Sequence, residues 1–258
     1  MDLFGIYILG LVQGLTEFFP VSSSGHLVIF KNFLDIGKEQ NMIEIFLHGG
    51  TLFSILFYYK QDIQIECKNI LKRDYQFLFN VCIAIIPVII VALIFKNSIE
   101  TIFFKNENRF LYIAISYMFC ALILFSTKFF IQNKKNKISI FSAFIIGVFQ
   151  CIALLPGISR SGFTISTALF LGVKKEEATR FSFLIAIPVI LGGFCLDLYE
   201  NFDIIFSDIL PLAVGFFTSA IVGYYVILYV VKLVNKDKMW IFSTYCFILS
   251  IISLTNHI

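Results

Sequence analysis

Charge is scarce in this sequence: Asp, Glu, Lys and Arg together make up 14% of 258 residues, while 59% are hydrophobic and the mean hydropathy is +0.88. Soluble domains carry roughly 25% charged residues to cover their surface, so a water-soluble globular chain is excluded. Paired cysteines are lacking too. Cys67, Cys82, Cys120, Cys151, Cys195 and Cys246 form no CxxC and no metal-ligand spacing, which leaves them as small core or lipid-facing residues and implies neither a disulfide nor a zinc site. There is no dense basic cluster and the net charge is only +3, so no nucleic acid is expected as a partner. The opening "MDLFGIYILG" has neither a basic leader region nor a small-residue cleavage site, and the expectation is that it stays in the mature protein.

What the sequence does have is long apolar runs. Six can each cover the hydrocarbon core of a bilayer, at about 42–59, 77–95, 110–127, 181–199, 209–231 and 239–256. Two further apolar segments, 3–30 and 139–173, are interrupted near their middles by Pro20 and Pro156 and by serine-rich turns. Irregular backbone survives in lipid only where protein or a water-filled cavity surrounds it. Both broken segments are therefore expected inside the bundle.

The two breaks resemble each other. A displacement of 137 residues lays "GLVQGLTEFFPVSSSGH" on "GVFQCIALLPGISRSGF", matching Gly10 with Gly147, Gln13 with Gln150, Ser22 with Ser159, Ser24 with Ser161 and Gly25 with Gly162. This reads as an internal duplication, with halves of about 1–127 and 139–258 inside a single polytopic membrane domain. Lysine and arginine mark cytoplasmic loops. If each broken segment enters and leaves on one side, the loops 60–76, 128–138, 174–180 and 232–238 share a face with fourteen of these residues, against five opposite. Both termini are then outside and the breaks enter from opposite sides. The expected fold is all-α and integral to the membrane, with six transmembrane helices and two re-entrant helical hairpins in an inverted-topology repeat.

The polar residues of the breaks form a constellation. Gln13 and Glu17 stand at i and i+4, on one face of a half-helix. After Pro20, Ser22 or Ser23 can cap the helix that follows, with His26 over the same turn; in the second break Ser159, Arg160 and Ser161 open a helix, with Thr164 one turn on. Two helix N-termini, serine hydroxyls and an arginine fork suit a phosphate. The plain structural alternative has Glu17 and Arg160 neutralising each other while the serines only cap. The repeat is chemically uneven, however: Glu17 falls on Leu154, His26 on Phe163 and Arg160 on Ser23. One half supplies acid, base and hydroxyl and the other the cation, a division suited to phosphoryl transfer.

With these residues in view, the chain resembles the undecaprenyl-diphosphate phosphatase family, the bacitracin-resistance proteins of the bacterial cell envelope. The family's (E/Q)xxxE motif is present as Gln13 to Glu17, followed by "FFPVSSSGH", and its PGxSRSxxT motif as "PGISRSGFT" at 156–164, with further likeness through "GVKKEEATRFSFLIAIP". The resemblance implies a multi-pass enzyme of the plasma (inner) membrane, its active site open to the outer face. It would hydrolyse undecaprenyl diphosphate to undecaprenyl phosphate and inorganic phosphate with a divalent cation, Mg²⁺ or Ca²⁺. That would recycle the lipid carrier for peptidoglycan synthesis and cell shape, and confer resistance to bacitracin, which competes by binding the substrate rather than the protein.

By the same resemblance Glu17, Ser23, His26 and Arg160 are catalytic, and Gln13, Ser22, Ser159, Ser161 and Thr164 bind substrate. Glu17 is the metal ligand. Gln13 stands where many relatives have glutamate, which bears on any mechanism needing two carboxylates there. Either Ser23 attacks, activated by His26, or Ser23 is a ligand and His26 activates water. Glu44 and His48 share a helix face and are expected close to the metal or one layer behind it, or else fixing their helix against the hairpins; Asp197 is expected at an interface or a cap. A homodimer is left open, and the lipid chain is expected to leave sideways between helices. The competing function is a transporter or flippase of a lipid phosphate or anion on the same inverted repeat; a structural membrane subunit is the third reading.

Overall fold

The computed structural model describes residues 3–34, 40–129, 135–200 and 209–255. Among these, the regular elements are helical: α1 (Leu3–Phe18), α2 (Ser23–Leu34), α3 (Gln40–Tyr58), α4 (Lys60–Leu71), α5 (Gln76–Glu100), α6 (Arg109–Ser126), α7 (Ile140–Ile152), α8 (Arg160–Phe170), α9 (Lys175–Glu200), α10 (Ile209–Asn235) and α11 (Ile241–Thr255). Extended pairing among them is limited to an isolated parallel bridge between Lys135 and Val173. Four stretches, Gln76–Lys105, Arg109–Ser126, Lys175–Leu196 and Ile209–Asn235, are long and apolar enough to cross a membrane, and shorter apolar helices join them. The protein is a multi-pass helical membrane protein.

Each of the six apolar runs falls in one helix, α3, α5, α6, α9, α10 and α11. The region 60–76, expected to be a loop, instead contains α4, and Thr101–Lys105 extends α5 as a π-helical turn. Lysines and arginines marked 60–76 as a loop, but it is the acids among them that hold α4: Arg180 of α9 donates to Asp62 at 2.6 Å and to Glu66. None of the described residues of α4 is buried, so the helix lies on the periphery of the bundle. Residues 130–134 and 201–208, within two of the expected loops, and the side chain of Asp197 lie outside the described residues.

Without a hydrophobic drive between helices in lipid, close approach at small residues does the packing. A Cβ on Gly10 or Gly14 of α1 would come within 2.8 Å of Thr218 or Val222 of α10, and one on Gly50 of α3 within 2.2 Å of the Phe216 carbonyl. Gly147 of α7 lies on Ala84 of α5 in the same way, 2.6 Å from its carbonyl oxygen. Ser250 of α11 donates to the Ala114 carbonyl of α6 at 2.7 Å. These contacts enclose the two breaks, α1–α2 and α7–α8, and bring them together. The backbone N–H of Gly157 donates to Ser22 Oγ at 3.0 Å, and Ser161 Oγ donates to the Phe18 carbonyl at 3.2 Å.

Candidate active site

Both helix breaks have a local cause. Pro20 cannot donate to the α1 ladder, and Ser22, at φ +66°, turns the chain before α2 begins. In the second break Gly157 takes φ +96°, where a Cβ would strike Ser116 Cβ at 2.7 Å; only glycine fits. Ser159 then caps α8, its Oγ accepting from the Gly162 N–H at 3.1 Å. Ser22 Oγ accepts from Gly25 N at 3.4 Å as well as from Gly157, so one hydroxyl ties the start of α2 to the other break.

Glu17 is the hub of the site. Its carboxylate is buried and accepts from Arg160 Nη2 on Oε1 at 2.5 Å and from Ser23 Oγ on Oε2 at 2.6 Å. Gln13 Nε2, one turn back on α1, donates to Oε2 at 3.1 Å, and His48 Nε2 of α3 is 3.9 Å from the same oxygen. A buried ion pair is costly unless its remaining polar atoms are satisfied. Two here are not: Arg160 Nη1 and Gln13 Oε1 are buried without a partner among the described residues. The first is a donor suited to an anion and the second an acceptor suited to a cation or a donor.

A pocket of about 260 Å³ opens at this hub, lined by Glu17, Ser22, Ser23, Ser24, His48, Ser159 and Arg160 on its polar side. Its other wall is apolar, built from Ile45 of α3, Ile158, and Val189, Ile190, Gly193 and Phe194 of α9. Of the residues singled out from the sequence, Glu17, Ser22, Ser23, Ser159 and Arg160 therefore meet on one cavity, joined by His48. Gln13, Ser161, Thr164 and His26 do not line it. Gln13 reaches it through Glu17. Ser161 contacts Ser159 Oγ at 3.1 Å, and Thr164 donates to the Arg160 carbonyl at 2.8 Å and meets Ser182 Oγ at 2.5 Å, so both brace the start of α8.

His26 is held behind the turn. Its Nδ1 lies 2.7 Å from the Ser22 carbonyl, an acceptor, and so carries the proton, with Tyr117 OH 3.1 Å away. A neutral ring then accepts at Nε2, from Tyr245 OH at 2.8 Å. No hydrogen bond joins His26 to Ser23 among the described residues; the hydroxyl turns to Glu17 instead. Ring stacking on Tyr245, with planes 5° apart, and an edge contact from Tyr117 complete the cage. Sequence reasoning missed both tyrosines and the α9 wall. The tyrosines are hydroxyls set in otherwise apolar runs, and the wall is apolar, with no chemical signature of its own.

His48 shares α3 with Glu44, whose carbonyl is 2.8 Å from His48 Nδ1. His48 Nε2 thus lies beside Glu17 and lines the pocket, whereas Glu44 does not line it. No group of three or more His, Cys, Asp or Glu side chains among the described residues is arranged to hold a metal ion. The donor set still fits a hard cation of the kind that takes one carboxylate and completes its shell with substrate oxygens and water, with the Glu17 carboxylate and the orphaned Gln13 Oε1 as the protein's share.

The sequence matches the profile of the bacitracin resistance protein BacA family over residues 6–252. An undecaprenyl-diphosphatase of Caldicellulosiruptor bescii is 37% identical over 264 residues, covering 100% of this chain and 98% of the relative. One from Protochlamydia amoebophila is 37% identical over 258 residues, with 97% of each chain covered. The undecaprenyl-diphosphatase 1 of Bacillus licheniformis is 38% identical over 257 residues, covering 95% of this chain and 94% of its own. The matched span takes in both helix breaks and the pocket between them, and the chain belongs to the bacitracin resistance protein BacA family.

Proposed function

We infer that the protein is an undecaprenyl-diphosphate phosphatase, releasing inorganic phosphate and leaving undecaprenyl phosphate as the recycled carrier for peptidoglycan synthesis. The observation that carries this reading is the pairing of an arginine with an unpartnered, buried Nη1 and a serine hydrogen-bonded to a carboxylate, both at helix N-termini on one cavity. The names borne by relatives along their whole length support it. Resistance to bacitracin follows from returning the carrier to its monophosphate form, because the antibiotic sequesters the diphosphate rather than binding the protein.

In the proposed mechanism Arg160 grips the diphosphate through its free Nη1, and the N-termini of α2 and α8 add their N–H groups and dipoles. Ser23 Oγ attacks the terminal phosphorus and Glu17 takes its proton, because the hydroxyl points at Glu17 and not at His26. The bond from the terminal phosphorus to the bridging oxygen breaks and undecaprenyl phosphate departs, carrying off the proton that Glu17 took. Water then attacks the phosphoserine, giving a proton to the freed Glu17 carboxylate, which returns it to Ser23 Oγ as inorganic phosphate leaves. His26 holds the Ser22 carbonyl, and so the turn that aims Ser23. Mg²⁺ or Ca²⁺ would be held by Glu17 and Gln13, and when bound supplies charge neutralisation for the diphosphate. A transporter or flippase has no use for the contact between Ser23 and Glu17.

The proposed architecture is six spans and two re-entrant hairpins in an inverted repeat. It is supported by a displacement of 137 residues that carries α1, α2, α3 and α5 onto α7, α8, α9 and α10 in order, with α6 followed by its counterpart α11 at a slightly shorter spacing. The packing is likewise exchanged: α1 lies on α10 as α7 lies on α5. The charge asymmetry of the loops supports a plasma-membrane enzyme with its pocket toward the outer face. Phosphate release from undecaprenyl diphosphate by the purified protein in detergent tests the function. Release that is lost in EDTA and restored by Mg²⁺ or Ca²⁺ is expected; no release with either cation present would overturn the reading.

A further inference from the structure

Gly192 and Gly193 are anomalous. Most glycines in the helices of this protein are there because something else needs the space: a Cβ on Gly10, Gly14, Gly50, Gly147, Gly215 or Gly223 would approach a neighbour to 3.0 Å or less. At Gly192 and Gly193 an added Cβ would meet nothing within 4 Å. Each glycine in a helix interior costs about 1 kcal/mol relative to alanine, and no packing among the described residues offsets that cost here.

Bulk lipid is not a sufficient reason either. Where this protein faces outward along its spans it carries large side chains, such as Ile86, Ile90, Leu93 and Ile94 on α5, and Leu191 and Leu196 flank the pair on α9 itself. Adjacent residues on a helix are about 100° apart, so the two glycines strip a broad arc of α9 to its backbone. Gly193 at the same time lines the pocket that holds Glu17, Ser23 and Arg160, beside Ile190 and Phe194. The cavity therefore runs from a charged end, where Arg160 Nη1 is buried and unpartnered, to an apolar wall that continues onto the bare arc.

We propose that this arc is the seat of the substrate's prenyl chain as it leaves the headgroup pocket, and that the absence of side chains at Gly192 and Gly193 sets the ability of the site to accept a long, methyl-branched chain. This rests on the lipid-diphosphate reading above. An isoprenoid carries a methyl branch on every repeat and is thicker than a straight acyl chain, and a backbone-only strip gives it room to lie against the helix while its diphosphate reaches Arg160.

Gly193→Leu in the purified full-length protein tests the seat. Its KM for undecaprenyl diphosphate, divided by its Ki for inorganic diphosphate, which presents the headgroup alone, should rise about tenfold over wild type, the loss expected when roughly two buried methylenes are displaced. A ratio that stays at the wild-type value, whether both constants move together or neither moves, overturns the proposal. If the leucine variant does not fold, Gly193→Cys fits the open space and reports on the same contact. Undecaprenyl phosphate should slow its alkylation by N-ethylmaleimide, read by mass spectrometry on the peptide carrying residue 193, while inorganic phosphate and phosphatidylglycerol should not. Equal rates with all three would overturn it. A wild-type protein that releases no phosphate sinks the phosphatase reading instead, and the alkylation experiment still judges the seat.

Discussion

Ser23 Oγ lies 2.6 Å from Glu17 Oε2, across the proline turn that separates α1 from α2. In the proposed mechanism this contact is the hydroxyl's proton acceptor, in place before substrate arrives. Ser23→Ala should therefore abolish turnover, and rapid quenching of wild type with substrate labelled in its terminal phosphate should leave label on the protein. Residual turnover by Ser23→Ala, with no labelled protein in wild type, would transfer the attack to water.

Glu17→Gln keeps the shape of the hub and removes its charge. The loss of a positioned proton acceptor should lower kcat about 10²–10⁴-fold, measured as steady-state phosphate release. A fall confined to KM would mean that Glu17 only binds.

Arg160 holds Glu17 Oε1 at 2.5 Å and leaves its buried Nη1 without a partner among the described residues, the group that the proposed mechanism gives to the diphosphate. A lysine retains the charge but not the planar fork. Arg160→Lys should lose about 10²–10³-fold in kcat, the scale of removing one donor to developing charge. Near wild-type turnover would remove Arg160 from the diphosphate.

Tyr245→Phe strips His26 Nε2 of its donor. Hydrogen bonds between membrane helices contribute on the order of 0.6–1.7 kcal/mol, so the variant should unfold at a lower temperature than wild type, in a thermal scan of the detergent-solubilised protein. Unchanged stability would show that the phenol is not holding the ring.

Orientation can be checked at residues on opposite faces. Both Glu107 and Lys236 are exposed, and the outward-facing pocket predicts that Glu107→Cys is labelled by an impermeant thiol reagent in intact cells while Lys236→Cys is not. The reverse pattern would invert the molecule in the membrane.

The helix breaks were legible because polar side chains and prolines stand out in an apolar chain, and their chemistry was legible because charges such as Glu17 and Arg160 are expensive to hold idle within a membrane. The sequence periodicity put His26 over the same turn as Ser23, and it is there, but a side chain's direction depends on neighbours from far along the chain. Tyr117 and Tyr245, 91 and 219 residues from His26, draw its ring away from the pocket. A helix N-terminus offers several hydroxyls to the sequence reader, and only packing against Phe18 and Ser182 places those of Ser161 and Thr164 against the protein. Helix α4 was hidden because its stability comes from Arg180, more than a hundred positions later, rather than from its own apolar residues.

Glu17 and Arg160 meet although 143 positions separate them in the chain. During biosynthesis the acid therefore enters the membrane long before its counter-charge has been translated, at a cost of about 2.5–3.5 kcal/mol for a lone charge at the middle of a helix. The first half of the nascent protein carries that deficit until the ribosome has delivered the second, so the maturing chain has a built-in incentive for the later hairpin to seek the earlier one, and a polypeptide truncated before residue 160 is left with an unanswered acid for the cell's quality-control proteases to find.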